Sequence, residues 1–415
     1  MDAAGRRPPA LAGLRVVEFT AAMAGPWIGR FLAWCGADVI RVESKRRPDV
    51  VRLYVPPRAR ELGTQERLSP WFTDWNAGKR FVALDLTRPK AVELARRLVA
   101  KCDVVIENYA TGVIGKLGLD YDELRRVRPD LVMLSTSGLG ESGPRARWVT
   151  WGPNIEALSG LARISGFPER ECTITQYAHP DVASALHGLV AVLCALDHRA
   201  RTGEGNHVAL SQLEATAAAF GHVLLERLAN GREPEQLGNR SRHAAPHGVY
   251  PCRGEDRWVA IAVEGDEAWR RLCEAAGRPG WSADPRFATL AERLAHQDAL
   301  DSELVAWTNG QDAYAVMERL QAAGVAAGVV QNAQDQLERD PQLRARGHFE
   351  RVPHLAKGSV VANGIPLGLT GTPGASGPSG AAVGEHNEEV FRGLVGLTEA
   401  EYRAALEDGA IEAPD

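Results

Sequence analysis

From residue 14 to residue 213 the chain alternates between short aliphatic, β-branched runs and longer stretches with apolar positions at helical spacing. LRVVEFT (14–20), DVIRVES (38–44), DVVIEN (103–108), LVMLSTS (131–137) and NHVALSQL (206–213) have strand character. PWIGRFLAWCG (26–36), RPKAVELARRLVAKC (88–102), DYDELRRVRPD (120–130) and HPDVASALHGLVAVLCALDHRART (179–202) read as helices between them. Pro26 suits a first helical position, Gly36 a C-terminal cap and Thr87 an N-terminal cap. Strand–helix–strand alternation predicts crossover connections, hence an α/β fold with a largely parallel sheet covered on both faces. Such a sheet binds ligands at the carboxyl ends of its strands, so the loops after residues 20, 44, 108 and 137 are where chemistry is expected.

The pattern changes near residue 230. LANGREPEQLGNRSRHAAPHG is polar and rich in Gly, Pro, Arg and Asn, as linkers and binding loops are. RWVAIAVEGDEAW (257–269) then reads as a strand and a helix start, and EAWRRLCEAAG and DAYAVMERLQAAG as helices. A smaller α+β unit is predicted over roughly 245–330. GTPGASGPSGAAVGEH (371–386) is a loop of small residues before a short final helix, NEEVFRGLVGL.

Composition narrows the class. The 415 residues are 45% hydrophobic and 24% charged with a net charge of −5, a globular balance with no basic field for nucleic acid or anionic membrane. The six cysteines have no CxxC or CxH spacing, and most sit in apolar runs, which favours buried thiols over disulfides or zinc ligands. MDAAGRRPPA lacks the apolar core of a signal peptide, and no run approaches the ~18–20 apolar residues of a membrane span; a cytoplasmic protein is expected.

Several motifs can carry chemistry. GLGESG (138–143) has dinucleotide-loop form, but Pro144, Arg145, Arg147 and WVTWGPN follow in place of an amphipathic helix, so it reads as a glycine turn. No Gx-Ser-xG elbow, HExxH or histidine group supports a serine or zinc hydrolase. Lys45, Arg46, Arg47, Lys79, Arg80 and Lys116 lie at or near loops of the α/β half; they are solvated charges or, if they converge, phosphate ligands. Asp181 stands alone at the mouth of a helix whose apolar residues leave little polar face and predict burial. It reads as an N-cap, or as a carboxylate held in a partly dry site where it can act as a nucleophile.

An ordered series of segments decides between these. LRVVEFTAAMAGPWIGRFLAWCGADVIRVES, NAGKRFVALDL (76–86), DVVIENYATGVIGKLGLDYDEL (103–124), PDVASALHGLVAVLCALDHRARTGEGNHVALSQLEA (180–215), GVYPCRGEDRWVAIAV (248–263), DPQLRARGHFE (340–350) and GEHNEEVF (384–391) resemble the class III CoA-transferases of CaiB/BaiF type. That family includes formyl-CoA:oxalate CoA-transferase, crotonobetainyl-CoA:carnitine CoA-transferase and α-methylacyl-CoA racemase.

The resemblance implies a Rossmann-like large domain built from both chain ends (1–225 and 331–415), an inserted small α+β domain with linkers (226–330), and an interlocked homodimer, with a hetero-oligomer as the variant. It implies that Asp181 is the nucleophile. It places CoA against Ala24 and Gly25, against Lys45 and Arg46, against Asn76, Lys79 and Arg80, and against Lys116. Met23, Ser137, Gly138 and Leu139 fall in the substrate and oxyanion region. CoA thioester is a substrate here, succinyl-CoA being one candidate donor; no permanently bound cofactor and no metal are implied. Three departures matter. Pro153 and Asn154 replace the His–Asp pair of the racemase branch, and Glu264, which matches another acid of that branch, cannot replace the histidine. The glycine run of formyl-CoA transferases is absent. Met23, Ser137 and Leu139 replace their polar residue, lysine and tyrosine. These departures favour transfer over racemisation and a larger acceptor acid, with an apolar or aromatic body, over oxalate. A CoA-binding subunit without activity is the non-enzymatic alternative.

Overall fold

A computed structural model describes residues 7–54, 69–175, 177–354, 358–379 and 381–414. The chain separates into two compact units, 1–161 with 174–231 and 342–415, and 162–173 with 232–341.

The first unit is built on β1 (Arg15–Phe19), α1 (Ala24–Trp34), β2 (Asp38–Glu43), α2 (Pro70–Trp75), β3 (Arg80–Ala83), α3 (Pro89–Val99), β4 (Val104–Glu107), α4 (Val113–Lys116), α5 (Tyr121–Leu124), β5 (Val132–Ser137), α6 (Gly152–Ser159), α7 (His179–Thr202), β6 (Asn206–Ser211), α8 (Gln212–Ala219) and α9 (Gly221–Asn230). The six strands form one parallel sheet in the order β3-β2-β1-β4-β5-β6. The order reverses between β1 and β4, so the loops after these two strands part and open a crevice at their carboxyl ends.

Alternate residues of each strand feed opposite cores. Val17, Ile40, Val82, Val105 and Met133 pack with Leu94 and Leu98 of α3 and with Phe391. Val16, Val39, Ile106 and Leu134 pack with Ile28 and Leu32 of α1 and with Ala185 and Val192 of α7. Gly36 takes φ +94° directly after α1, as a residue beyond a C-cap should.

Four local expectations are corrected. α1 begins at Ala24, so Pro26 is its third residue. α3 is capped by Arg88, while the Thr87 hydroxyl donates to Asp85 Oδ1 at 2.6 Å. NEEVFRGLVGL forms a π-type turn at Glu389–Leu394, and the last helix is Glu399–Glu407, capped by Thr398. Cys102, Cys252 and Cys273 are buried, but Cys172 and Cys194 are exposed.

The fifth correction concerns α7. Over 24 residues it is, by length and composition alone, long and apolar enough to cross a membrane, yet it serves as the crossover from β5 to β6. Only its Ser184, Ala185, Gly188, Val192 and Ala195 side faces the sheet, and Leu186, Val190 and Leu193 are exposed. α9 has no buried residue and exposes Leu224, Leu225 and Leu228.

The second unit has an antiparallel sheet of β7 (His247–Pro251), β8 (Trp258–Ala262) and β9 (Ala326–Val329). Its own core gathers Trp269, Trp281, Trp307 and Phe287 around Val259 and Ile261. Glu264 is exposed just after β8. Beyond this unit the chain forms a hairpin, β10 (Phe349–His354) with β11 (Gly358–Asn363), and then reaches the outer edge of β3. There Asn387 Oδ1 accepts the Ala83 N–H at 2.8 Å, and the Glu412 N–H donates to Ala83 O at 3.1 Å.

Candidate active site

Asp181 is the third residue of α7; the N-cap is Ala178, and no side chain caps this end. The carboxylate lines the crevice and stays within reach of the N–H groups of its own helix end. Gln212, the first residue of α8, donates from Nε2 to Asp181 Oδ1 at 3.2 Å. Burial raises the Asp181 pKa to about 6, opposed by the Gln212 bond and by the backbone N–H groups of Ala24 and of Asp181 itself, and reinforced by the charge of Glu156. Ala24 is the first residue of α1, so two helix N-termini meet at one carboxylate and favour its ionised form. Gly152 packs closely opposite: a Cβ there would lie 3.0 Å from Asp181 Oδ2 and press on the carboxylate.

The loop that delivers Ala24 is clamped. Asn108, just after β4, accepts the Ala21 N–H and donates to Ala21 O, both at 2.8 Å. Asp49 accepts the Ala22 N–H with both oxygens, at 3.2 and 3.1 Å. Ala22 has φ +58°, a left-handed conformation that costs a non-glycine residue about 1 kcal/mol and persists because these partners hold it. Gly25 follows where a Cβ would come within 2.6 Å of Thr20 Cγ2. Arg41, itself fully buried, holds Asp49 from behind and donates to Thr20 O at 3.1 Å.

Two cavities open along this edge of the sheet. One, about 430 Å³, contains Asp181, Gln212, Met23, Ser137, Gly138 and Gly152, with Trp71, Trp75, Trp148 and Trp151 around them. The other, about 770 Å³, is lined by Arg46, Arg47, Asp85 and Thr87 from the loops after β2 and β3, and by Val113 and Leu117 near α4. They share Ala21, Val50, Tyr109, Ala110 and Trp151. Tyr109 is anchored by its N–H to Glu107 Oε2 at 2.9 Å, and burial pushes the Glu107 carboxyl up to about 7 against that bond and one to Ser135.

The residues singled out in the sequence distribute unevenly. Asp181, Met23, Ser137 and Gly138 meet in the smaller cavity, and the buried Ser137 Oγ there has no hydrogen-bond partner among the described residues. Ala24 and Gly25 lie buried behind Met23, while Leu139 is not part of the cavity lining. Arg46 lines the larger cavity and donates to Asp85 Oδ2 at 2.9 Å; bonds from Thr87 and Arg46 overcome burial and hold Asp85 down at about 2. Lys45 is exposed beside it, its N–H bonded to Glu412 Oε2 at 2.8 Å. Lys116 is exposed at the end of α4, next to Leu117.

Asn76, Lys79 and Arg80 are placed elsewhere. Lys79 Nζ is fully enclosed, donating to Glu18 Oε1 at 2.7 Å, Pro26 O at 2.7 Å and Asn76 Oδ1 at 3.0 Å. Burial draws its pKa down to about 8 in spite of Glu18. Asn76 also takes a bond from Arg41. Arg80 starts β3 and pairs with Asp38 and Glu389, at the amino edge of the sheet, opposite the cavities. These three brace α1 and the sheet and do not reach the crevice.

Gln212, Glu156, Asp49 and Asn108 were not foreseen. Gln212 had a signal: Ser211 caps α8, its Oγ accepting the Glu214 N–H at 3.3 Å, so S-Q-L-E starts a helix at the carboxyl end of β6. Glu156 accepts the Thr175 N–H at 2.8 Å and ties the segment before α7 onto α6. Asn154 Oδ1 accepts the Trp151 N–H at 3.0 Å, a bond at the start of α6.

The profile of CoA-transferase family III matches residues 11–387. Succinate--glutarate CoA-transferase of Agrobacterium fabrum is 33% identical to this chain over 95% of it and 97% of its own length. Succinyl-CoA--D-citramalate CoA-transferase of Chloroflexus aurantiacus is 34% identical over 95% and 96%. The crystal structure of a CAIB/BAIF family protein from Brucella suis superposes with a TM-score of 0.85 at 31% identity, covering 94% of this chain and 100% of that one. A parallel sheet with its crevice at the β1–β4 reversal, a carboxylate at the crevice and full-length similarity to named transferases agree: the chain belongs to CoA-transferase family III and is a CoA-transferase.

Proposed function

We propose that the chain moves CoA from a donor acyl-CoA to an acceptor carboxylic acid through covalent intermediates on Asp181. The observation that carries this reading is the placement of the Asp181 carboxylate: enclosed, met by two helix N-termini and by Gln212, and open to a cavity that continues into an arginine-bordered one. The ionised carboxylate attacks the thioester carbonyl, and the C–S bond breaks to give a mixed anhydride and CoA thiolate. The thiolate attacks the aspartyl carbonyl, releasing the donor acid and leaving an aspartyl-CoA thioester. The acceptor carboxylate attacks that thioester, again freeing the thiolate, which takes the acceptor acyl group and restores Asp181. Thioester exchange for thioester is nearly neutral in energy, so the protein supplies position and stabilisation of the developing oxyanions. N–H groups at the start of α1 and near Gly138 are the donors this reading assigns.

The larger cavity takes the nucleotide end of CoA, with Arg46 and Arg47 toward its phosphates. Succinyl-CoA is the first donor to try, in a cytoplasmic setting where acyl-CoA is made. Incubation with an acyl-CoA panel, hydroxylamine or borohydride trapping and peptide mapping tests the mechanism. An adduct on Asp181 is expected; exchange without one overturns it. We also propose that a second copy covers the apolar stripe of Leu186, Val190 and Leu193 and the Leu224, Leu225 and Leu228 face, since exposed patches of this kind mark interfaces. Light scattering on the purified chain is expected to give twice the 44.8 kDa chain mass; a monomer at micromolar concentration overturns this.

A further inference from the structure

We infer that the acceptor acid exchanged at Asp181 carries an aromatic body that packs against a wall of indole rings; this rests on the CoA-transfer reading. The wall is specific in geometry. Trp71 and Trp75 lie one helical turn apart on α2, with ring centroids 5.9 Å apart and planes within 15°. Tyr54 stacks on Trp71 at 4.5 Å and 4°. Trp148 and Trp151 stand on the segment leading into α6, and Met23, Val50, Val51 and Val149 add to the apolar lining.

These rings are not spent on the core. Trp71 is 49% exposed and Trp151 56%, although both line the cavity that holds the Asp181 carboxylate. Large aromatic side chains are the costliest to leave in water, so a row of them around a reactive group points to a ligand that covers them. The cavity, about 430 Å³, is within the range that takes a substituted ring. Against the indole faces an anion is repelled by the π electrons, whereas a flat apolar body gains offset stacking; hydroxyls of Thr111, Thr136, Ser137 and Thr150 line other parts of the cavity. Because the acid reacts at Asp181, its body must extend from that carboxylate, and four indole rings lie within the same cavity.

Asp181→Asn of the full chain binds without turnover, so isothermal titration with 3-phenylpropionyl-CoA and glutaryl-CoA reads the acyl site alone, the CoA portion being common. We expect the phenyl thioester to bind about tenfold more tightly. Adding Trp75→Ala or Trp71→Ala should remove most of that ratio, while glutaryl-CoA affinity moves by about twofold or less. Trp71→Phe, which retains a ring, should preserve the ratio and guards against loss of the fold. Equal affinities, tighter glutaryl-CoA binding, or a ratio unmoved by the tryptophan variants would overturn the inference, as would no binding of either thioester. Peptide mapping of the wild-type chain separates this from the reading beneath it. An Asp181 adduct with no aromatic preference overturns the substrate class alone. A tenfold preference with no adduct upholds the aromatic acyl site and overturns the covalent mechanism.

Discussion

The two cavities share one wall and differ in the charged and aromatic groups that border them. The larger is bordered by Arg46, Arg47, Asp85 and Thr87, on loops whose charges are paired or open to water. The smaller has four tryptophans, neutral polar groups such as Thr136, Ser137 and Gln212, and one carboxylate raised to about 6 by enclosure. A CoA thioester has the same asymmetry: a multiply charged nucleotide at one end and an uncharged reactive bond at the other. Ion recognition tolerates solvent, whereas attack by a carboxylate gains from its removal, since a hydrated carboxylate is a poor nucleophile. On the CoA-transfer reading, one ligand is held at one end by charged loops and attacked at the other beside an enclosed carboxylate.

The sharpest way to break this division is Asp181→Asn. Exchange should fall by about 10³-fold or more while CoA thioester affinity holds, as measured by single-turnover transfer and calorimetry. Residual exchange near the wild-type rate would remove the smaller cavity from the chemistry. Acidification should act next. With the folded pKa raised to about 6, the nucleophile is lost by protonation as pH falls, so the rate drops about tenfold per unit below that value and about 100-fold by pH 4. A rate that stays flat down to pH 4.5 contradicts the assignment. Gly152→Ala presses a methyl against Asp181 Oδ2 and should lower kcat by about 10- to 100-fold with little change in Tm. Arg47→Ala should have the smallest effect, weakening CoA binding about fivefold with kcat intact, and the loss should shrink as salt rises. A kcat defect there would mean that the two cavities are not separable.

The crossover pattern was legible in the sequence because parallel strands are buried on both faces and announce themselves as continuous aliphatic runs. The loops after residues 20, 44, 108 and 137 do border the two cavities, as the carboxyl-edge rule requires. What failed were judgements about which charges face outward. Lys79 looked like a loop cation, yet its partner Glu18 lies 61 positions earlier, on β1. No local pattern reveals a pairing across strands. Of the two local readings of Asp181, cap or nucleophile, the cap does not hold: Ala178 takes that place, and the side chain is set by contacts from α1 and α8. Asp49 and Asn108 escaped notice for the same reason: their work is on the backbone of Ala21 and Ala22. Burial of α7 was overstated, since apolar composition says that a face will be covered but not by what.

The seam along β3 has a consequence for the order in which the molecule is completed. Ala83 gives its N–H to Asn387, a separation of 304 positions, and Phe81 gives its own to His386. On a ribosome, residues 232–341, with a tryptophan-rich core of their own, emerge while that strand still lacks its neighbour. Until the segment around 384–412 arrives, β3 presents unpaired amides, and the loops carrying Lys45 and Asp85 lack their contacts to Glu412 and Ala410. An open edge held for that long is an invitation to mispairing, so closure of the seam is a natural place for a chaperone to matter. The larger cavity, lined by the loops after β2 and β3, would then be the last part of the enzyme to take shape.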